Sequence, residues 1–129
     1  MKKWCLGCVV LAIMLPAISC GPSAPPLTET QKSLAIETMK DYPRVRDAAV
    51  FQDGSDLSLA IIVDYATSEE YAKELGDNFV RLVKTFSEDE SPHKRIGKGV
   101  YNYLVGVYYP NEEVVAMGAK SSTSDHLTW

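Results

Sequence analysis

The sequence predicts an α+β domain whose elements follow the order helix, strand, strand, helix, strand, strand. Two segments repeat apolar residues at intervals of three and four, which is the spacing of an amphipathic helix. A third segment, residues 57–65, alternates apolar and other residues as a half-buried strand does. These elements favour a four-stranded antiparallel sheet with both helices on one face.

The first half of the domain has clear local start and stop signals. Residues 27–42 read as a helix that Pro43 ends, and Thr28 with Gln31 has the spacing of a capping box. The strands at 44–52 and 57–65 flank Asp53-Gly54-Ser55-Asp56. Because Asp-Gly is a strong turn signal, we expect a hairpin there.

The second half repeats this order of elements. Thr67 and Glu70 stand in capping-box register before a helix that runs to about Ser87. We then expect a charged loop at 87–98 and a strand at 99–109. A turn at 110–112, a strand at 113–120 and a polar tail at 121–129 follow. A single domain over 27–120 follows. Tyr101, Tyr103 and Tyr109 of the third strand are expected to fill the core of this domain.

One face of the predicted sheet is unusually apolar. If Leu57, Leu59, Ile61 and Val63 face the helices, alternation places other apolar residues on the opposite face. The candidates for a partner-binding face are Val50, Ile62, Leu104, Tyr108 and Val114. An exposed apolar surface of this extent indicates a protein partner or self-association. The alternatives are a different strand register, or a tail that covers the face with Leu127 and Trp129.

Residues 1–19 have the layout of a secretory signal peptide. Met1-Lys2-Lys3 is basic, and no charge follows from Trp4 to Ser19. The apolar run is short for a bilayer span of about 20 residues, and Pro16 would interrupt a helix. Export therefore explains this segment better than a membrane helix.

The end of this segment, Ala17-Ile18-Ser19-Cys20, resembles the lipobox of bacterial lipoproteins. The resemblance covers residues 1–21 and departs at Ala17, where the family usually has leucine. It implies cleavage before Cys20, lipidation of its sulfur, and anchoring in a bilayer of the cell envelope. Gly21 stands where an aspartate would imply retention in the inner membrane, so the resemblance favours the periplasmic side of the outer membrane over the outer face of the cytoplasmic membrane.

Ala17 and Ser19 also fit an ordinary signal peptidase, which would release a secreted protein that dimerises through Cys20. In the exported chain Cys20 has no cysteine partner, because Cys5 and Cys8 leave with the signal peptide. Lipidation removes this solitary thiol. Residues 20–26 then form the lipidated cysteine and a proline-rich tether.

Charge and composition bound the chemistry of the domain. Without Lys2 and Lys3, 11 basic and 17 acidic side chains give a net charge of −6, which does not suit nucleic acid. No cofactor motif or catalytic constellation is found, and His93 and His126 are expected in solvent. Lys94, Arg95 and Lys98 form a candidate anion-binding loop or simply balance the acidic residues upstream. An exported enzyme or small-ligand binder with a pocket near 87–98 is the alternative function.

Overall fold

The computed structural model describes residues 26–88 and 99–129. Two helices and four strands follow one another in the predicted order, and the α+β fold class is confirmed. The elements are α1 (Glu29–Lys40), β1 (Val45–Asp53), β2 (Asp56–Val63), α2 (Glu69–Glu88), β3 (Asn102–Tyr108) and β4 (Val114–Lys120).

Helix α1 begins at the predicted capping box. The Gln31 amide donates to Thr28 Oγ1 at 3.0 Å, and the Thr28 amide donates to Gln31 Oε1 at 2.8 Å. These two bonds satisfy amide groups that have no partner within the helix. The Gln31 side chain also donates to the Phe86 carbonyl at 3.0 Å, so the start of α1 is held against the end of α2.

Helix α2 begins at Glu69, one residue later than a cap at Thr67 would place its start. Ser68, and not Thr67, caps the helix, since the Tyr71 amide donates to Ser68 Oγ at 3.1 Å. Thr67 is buried and its hydroxyl donates to Asp64 Oδ1 at 3.1 Å. The expected capping box at Thr67 is therefore wrong, because the turn after β2 uses this hydroxyl itself.

Strands β1 and β2 form the predicted hairpin. Asp53 pairs with Asp56 across the two-residue turn Gly54-Ser55, and Gly54 has φ +63°. Glycine adopts a positive φ without the steric cost that a side chain brings, which explains the residue at this position.

The sheet has the order β1-β2-β3-β4 and is mixed. Both outer pairs are antiparallel, but β2 and β3 are parallel, so the prediction of a purely antiparallel sheet is wrong. The reason is the length of α2. Its 20 residues rise about 30 Å, which returns the chain past the full length of β2 to the end where β2 began. The next strand must then run in the same direction as β2.

One core lies between the helices and one face of the sheet. Leu57, Leu59, Ile61 and Val63 are buried, as alternation predicts, and Phe79 of α2 packs into the same cluster. Tyr101 and Tyr103 are also buried there, which confirms the core role expected for them. The buried face is thus the helix side, and the other face of the sheet is the outer face.

The tail, residues 121–129, packs against the domain. Thr128 exchanges two backbone hydrogen bonds with Ala119 at 2.8 and 3.0 Å, and Leu127 is buried. The indole of Trp129 lies between Gly76 of α2 and Gly118 of β4, on the helix side of the sheet. The alternative in which Leu127 and Trp129 cover the outer face is therefore wrong.

Candidate functional site: the outer face of the sheet

Three rows of side chains cross the outer face, each with one residue from every strand. From β1 to β4, the first row is Phe51, Ser58, Leu104 and Ala119. The second row is Ala49, Ala60, Gly106 and Met117. The third row is Asp47, Ile62, Tyr108 and Val114. The first row lies near the β1–β2 hairpin, which we call the hairpin end of the sheet, and Asp53, Asp56 and Asn102 continue the same face beyond it. Eleven of the twelve residues carry no charge, although the whole sequence has a net charge of −4.

The large apolar side chains of these rows are exposed to solvent. The exposed fractions are 67% for Phe51, 57% for Val114, 48% for Leu104 and 43% for Met117. Ile62 and Tyr108 are half-buried among them. Ile62, Leu104, Tyr108 and Val114 thus lie together on this face, as the sequence predicts.

Val50 does not belong to this face. It is only 8% exposed and pairs with Leu59, so its side chain joins the core on the helix side. The expectation was wrong because the two-residue turn fixes which residues face each other. Asp53 opposite Asp56 places Val50 opposite Leu59 and Phe51 opposite Ser58. The same turn could have identified Phe51 as an outer-face residue.

The sequence also did not predict that Met117 lies on the outer face. A β-bulge between β3 and β4 leaves Val115 without a partner, so Val114 faces outward and Ala116 faces the core. Without the bulge, alternation would keep Val114 and Ala116 on one face and Met117 on the other. No local sequence signal marks this bulge.

The middle of the outer face is flat because Tyr108 folds back along its own strand. A Cβ built on Gly106 would lie 2.7 Å from Tyr108 Cζ, so only glycine leaves room for the ring. Gly106 therefore stays buried beneath the ring. An aromatic ring lying over a strand glycine restores the packing that the glycine lacks.

A hollow of about 400 Å³ opens at the hairpin end of the face. Phe51 and Leu104 form apolar walls, and Asp53, Asp56 and Asn102 form a polar rim. Asn102 Nδ2 donates to Asp56 Oδ1 at 2.9 Å, so the rim is already tied together. The hollow can accept an apolar side chain of a partner, and the carboxylates at its rim would repel an anionic one.

The far end of the sheet is held by an exposed ion pair. Arg44 Nη1 lies 3.3 Å from Asp64 Oδ2, and Arg44 has φ +70°. Desolvation alone would raise the pKa of Asp64, but hydrogen bonds from Thr67 and Ala66 and the charge of Arg44 lower it overall. This arrangement orders the turn after β2.

The other expected sites fall elsewhere. Cys20 and the candidate anion-binding residues Lys94, Arg95 and Lys98 lie outside the described residues, as does His93. His126 is exposed, as predicted, and its Nδ1 lies 2.9 Å from Asp125 Oδ1.

Within 26–88 and 99–129, His, Cys, Asp and Glu side chains form no group of three or more that could hold a metal ion. In the same ranges, neither helix has the length and apolar character that crossing a bilayer requires.

Comparison with family models, with curated proteins and with solved structures finds no match to this chain. The outer face of the sheet and residues 1–21 are therefore the features of this chain that indicate a function.

Proposed function

We propose that this protein is a bacterial lipoprotein whose lipidated Cys20 anchors a small binding domain at the cell envelope, where the outer face binds another protein. The observation that carries the proposal is the group of exposed apolar side chains on the outer face described above. Phe51, Leu104, Val114 and Met117 are all exposed on one surface, and a contiguous apolar surface of several hundred Å² commonly marks a contact site. The partner surface that fits it is itself mostly apolar.

The position of the tether orients this face. The Leu27 amide donates to Gln52 Oε1 at 2.7 Å, so the chain enters the domain beside the β1–β2 hairpin. Six residues, 21–26, separate Leu27 from Cys20, and an extended proline-rich segment of that length spans about 19 Å. The hairpin end then points to the bilayer, the strands stand away from it, and the outer face is open to proteins beside the domain.

Attachment comes from acyl chains and not from charge, because a domain with a net charge of −6 is not attracted to anionic lipid. One acyl chain holds a protein only marginally, and two or three hold it stably. Gly21 after the lipidated cysteine favours the periplasmic side of the outer membrane as the location.

The first experiment measures the anchor. The full chain is expressed in a bacterial host with two membranes, and the intact mass of the membrane-fraction protein is determined. We expect a polypeptide that starts at Cys20 and carries added acyl mass. Cys20→Ala should move the protein out of the membrane fraction, whereas Cys8→Ala, within the expected signal peptide, should leave it there. An unmodified chain, or unchanged fractionation of Cys20→Ala, contradicts the proposal.

The second experiment measures whether the outer face is covered. Ala119→Cys places a thiol on this face, and Ser33→Cys places one on the exposed surface of α1. In membrane vesicles a maleimide reagent should label the Ala119→Cys chain several-fold more slowly than the Ser33→Cys chain, and detergent at high dilution should remove the difference. Equal rates in vesicles would show an unoccupied face and contradict a binding role for it.

A further inference from the structure

We propose that the partner on the outer face is a second copy of this chain anchored in the same membrane, and that the two sheets pack face to face around a two-fold axis parallel to the strands. This inference rests on the proposed function, whose binding face it uses. Three observations carry it: the position of the tether, the arrangement of large and small side chains, and the extent of the face.

The tether position selects this symmetry. A two-fold axis parallel to the strands places the hairpin ends of both copies on the same side. Because Leu27 is bonded to Gln52 at that end, both tethers then reach one membrane. An axis perpendicular to the strands would place one tether at each end of the dimer. Face-to-face packing with nearly aligned strands is also the common arrangement of two-sheet sandwiches.

The row at the hairpin end is complementary to itself under this axis. The axis passes between β2 and β3, so β1 of one copy faces β4 of the other, and β2 faces β3. Phe51 then lies opposite Ala119 of the second copy. Leu104 lies opposite Ser58 in the same way. Each large side chain meets a small one, which is the condition for interdigitated packing.

The middle row has the same property. Met117 on β4 lies opposite Ala49 on β1 of the second copy, and Ala60 lies opposite Gly106. The ring of Tyr108 lies over Gly106, so Ala60 of the second copy meets this ring, again a small side chain against a large one. In the third row Asp47 stands on the edge strand β1, where its carboxylate can remain in water.

The extent of the face suits a dimer that needs the membrane. Four strands about 4.8 Å apart, followed over about seven residues, cover roughly 19 by 23 Å, or about 440 Å² in projection. Stable interfaces bury about 800 Å² of accessible surface on each partner. Two copies free in solution are therefore held weakly, and confinement to one membrane raises their effective concentration.

The test uses chemical crosslinking in vesicles. Ala60 lies next to the axis, and its Cα would be about 10 Å from that of the second copy, because packed sheets are about 10 Å apart. We expect a bis-maleimide of that reach to crosslink the Ala60→Cys chain to a product of twice its mass. Ser33→Cys, on the far side of the domain, should give at least ten-fold less of this product.

Two further variants test the geometry. Leu104→Glu should reduce the crosslink of Ala60→Cys at least ten-fold, whereas Leu34→Glu should not change it. Leu104 and Leu34 are matched controls, since their exposed fractions are 48% and 46%. Met117→Lys alone should also reduce the crosslink, and adding Ala49→Glu to the same chain should restore it. Within one chain these two positions lie on opposite edge strands, so rescue requires the second copy.

Several results would overturn the inference. A crosslink to a chain of another mass would identify a different partner and leave the proposed function intact. No crosslink in vesicles, or no rescue by Ala49→Glu, would remove the two-fold dimer while the acyl mass still supported the anchor. If the crosslink persists undiminished in Cys20→Ala at the same bulk concentration, confinement to the membrane is not what stabilises the dimer. Failure of the anchor itself would be seen separately, in the mass of the polypeptide.

Discussion

Replacing Gly76 with alanine should destabilise the protein, although alanine is the better helix former. In a helix interior Gly→Ala gains about 1 kcal/mol. Here a Cβ on Gly76 would lie 2.9 Å from Trp129 Cζ2 and 3.1 Å from Val105 Cγ1, so the indole must move. Both distances are too short for carbon atoms in contact.

The cost of moving the indole decides the sign. Removing a buried tryptophan side chain costs about 3–5 kcal/mol, and for the half-buried Trp129 we take about 2–3 kcal/mol. The indole also donates a hydrogen bond to the Asp77 carboxylate, whose pKa is raised by burial. Against a gain of about 1 kcal/mol, we expect Gly76→Ala to lower the free energy of unfolding by about 1–2 kcal/mol.

A double-mutant cycle separates the steric effect of the indole from the helix propensity of alanine. In a Trp129→Ala background the obstacle is gone, so Gly76→Ala should now stabilise by up to about 1 kcal/mol. The assay is urea unfolding of the four proteins, with equal slopes required for the comparison. If Gly76→Ala stabilises the parent chain, or if its effect is the same in both backgrounds, the account of the tail as a part of the fold is refuted.

Two further predictions concern the ends of the sheet and of α2. Asp64→Asn should be less stable than the parent at pH 7, and the difference should shrink as the pH falls below about 4. The pKa of Asp64 is lowered in the folded state, so its contribution is present above the unfolded pKa and is lost as the pH falls through the folded one. Urea midpoints at several pH values check this, and a difference that does not vary with pH would contradict it. Ser68→Ala should cost about 1 kcal/mol because it removes the cap of α2, whereas Glu70→Ala, the residue of the predicted box, should cost less. Equal costs in the same assay would argue against Ser68 as the cap.

Sequence patterns predicted the elements whose causes are local. The capping box of Thr28 and Gln31, the glycine turn at Gly54 and the alternation of β2 depend on neighbours a few residues apart. The apolar residues Ile62, Leu104, Tyr108 and Val114 were placed on the correct face because the period of a strand is two. Val50 faces the core instead, because the two-residue turn sets the hairpin register and pairs it with Leu59.

Other features depend on contacts between distant parts of the chain. The bulge that turns Ala116 inward and leaves Met117 outward is a property of β3 and β4 together. The space for Trp129 is formed by two glycines on different elements, and neither glycine stands beside a turn signal. Glycine is costly inside a helix or a strand. Gly76 and Gly118 are explained only by the Trp129 ring, which fills the space above them.

The amino-acid order by itself determined where helices and strands form, because capping and periodicity act over short distances. Its basic-then-apolar leader likewise predicts an export signal from neighbouring residues alone. Tertiary structure decided the parallel contact between β2 and β3, the burial of Val50 and the docking of the tail. These features follow from where α2 returns the chain and from how the strands pair. A one-residue change in pairing moves every side chain of a strand to the other face of the sheet.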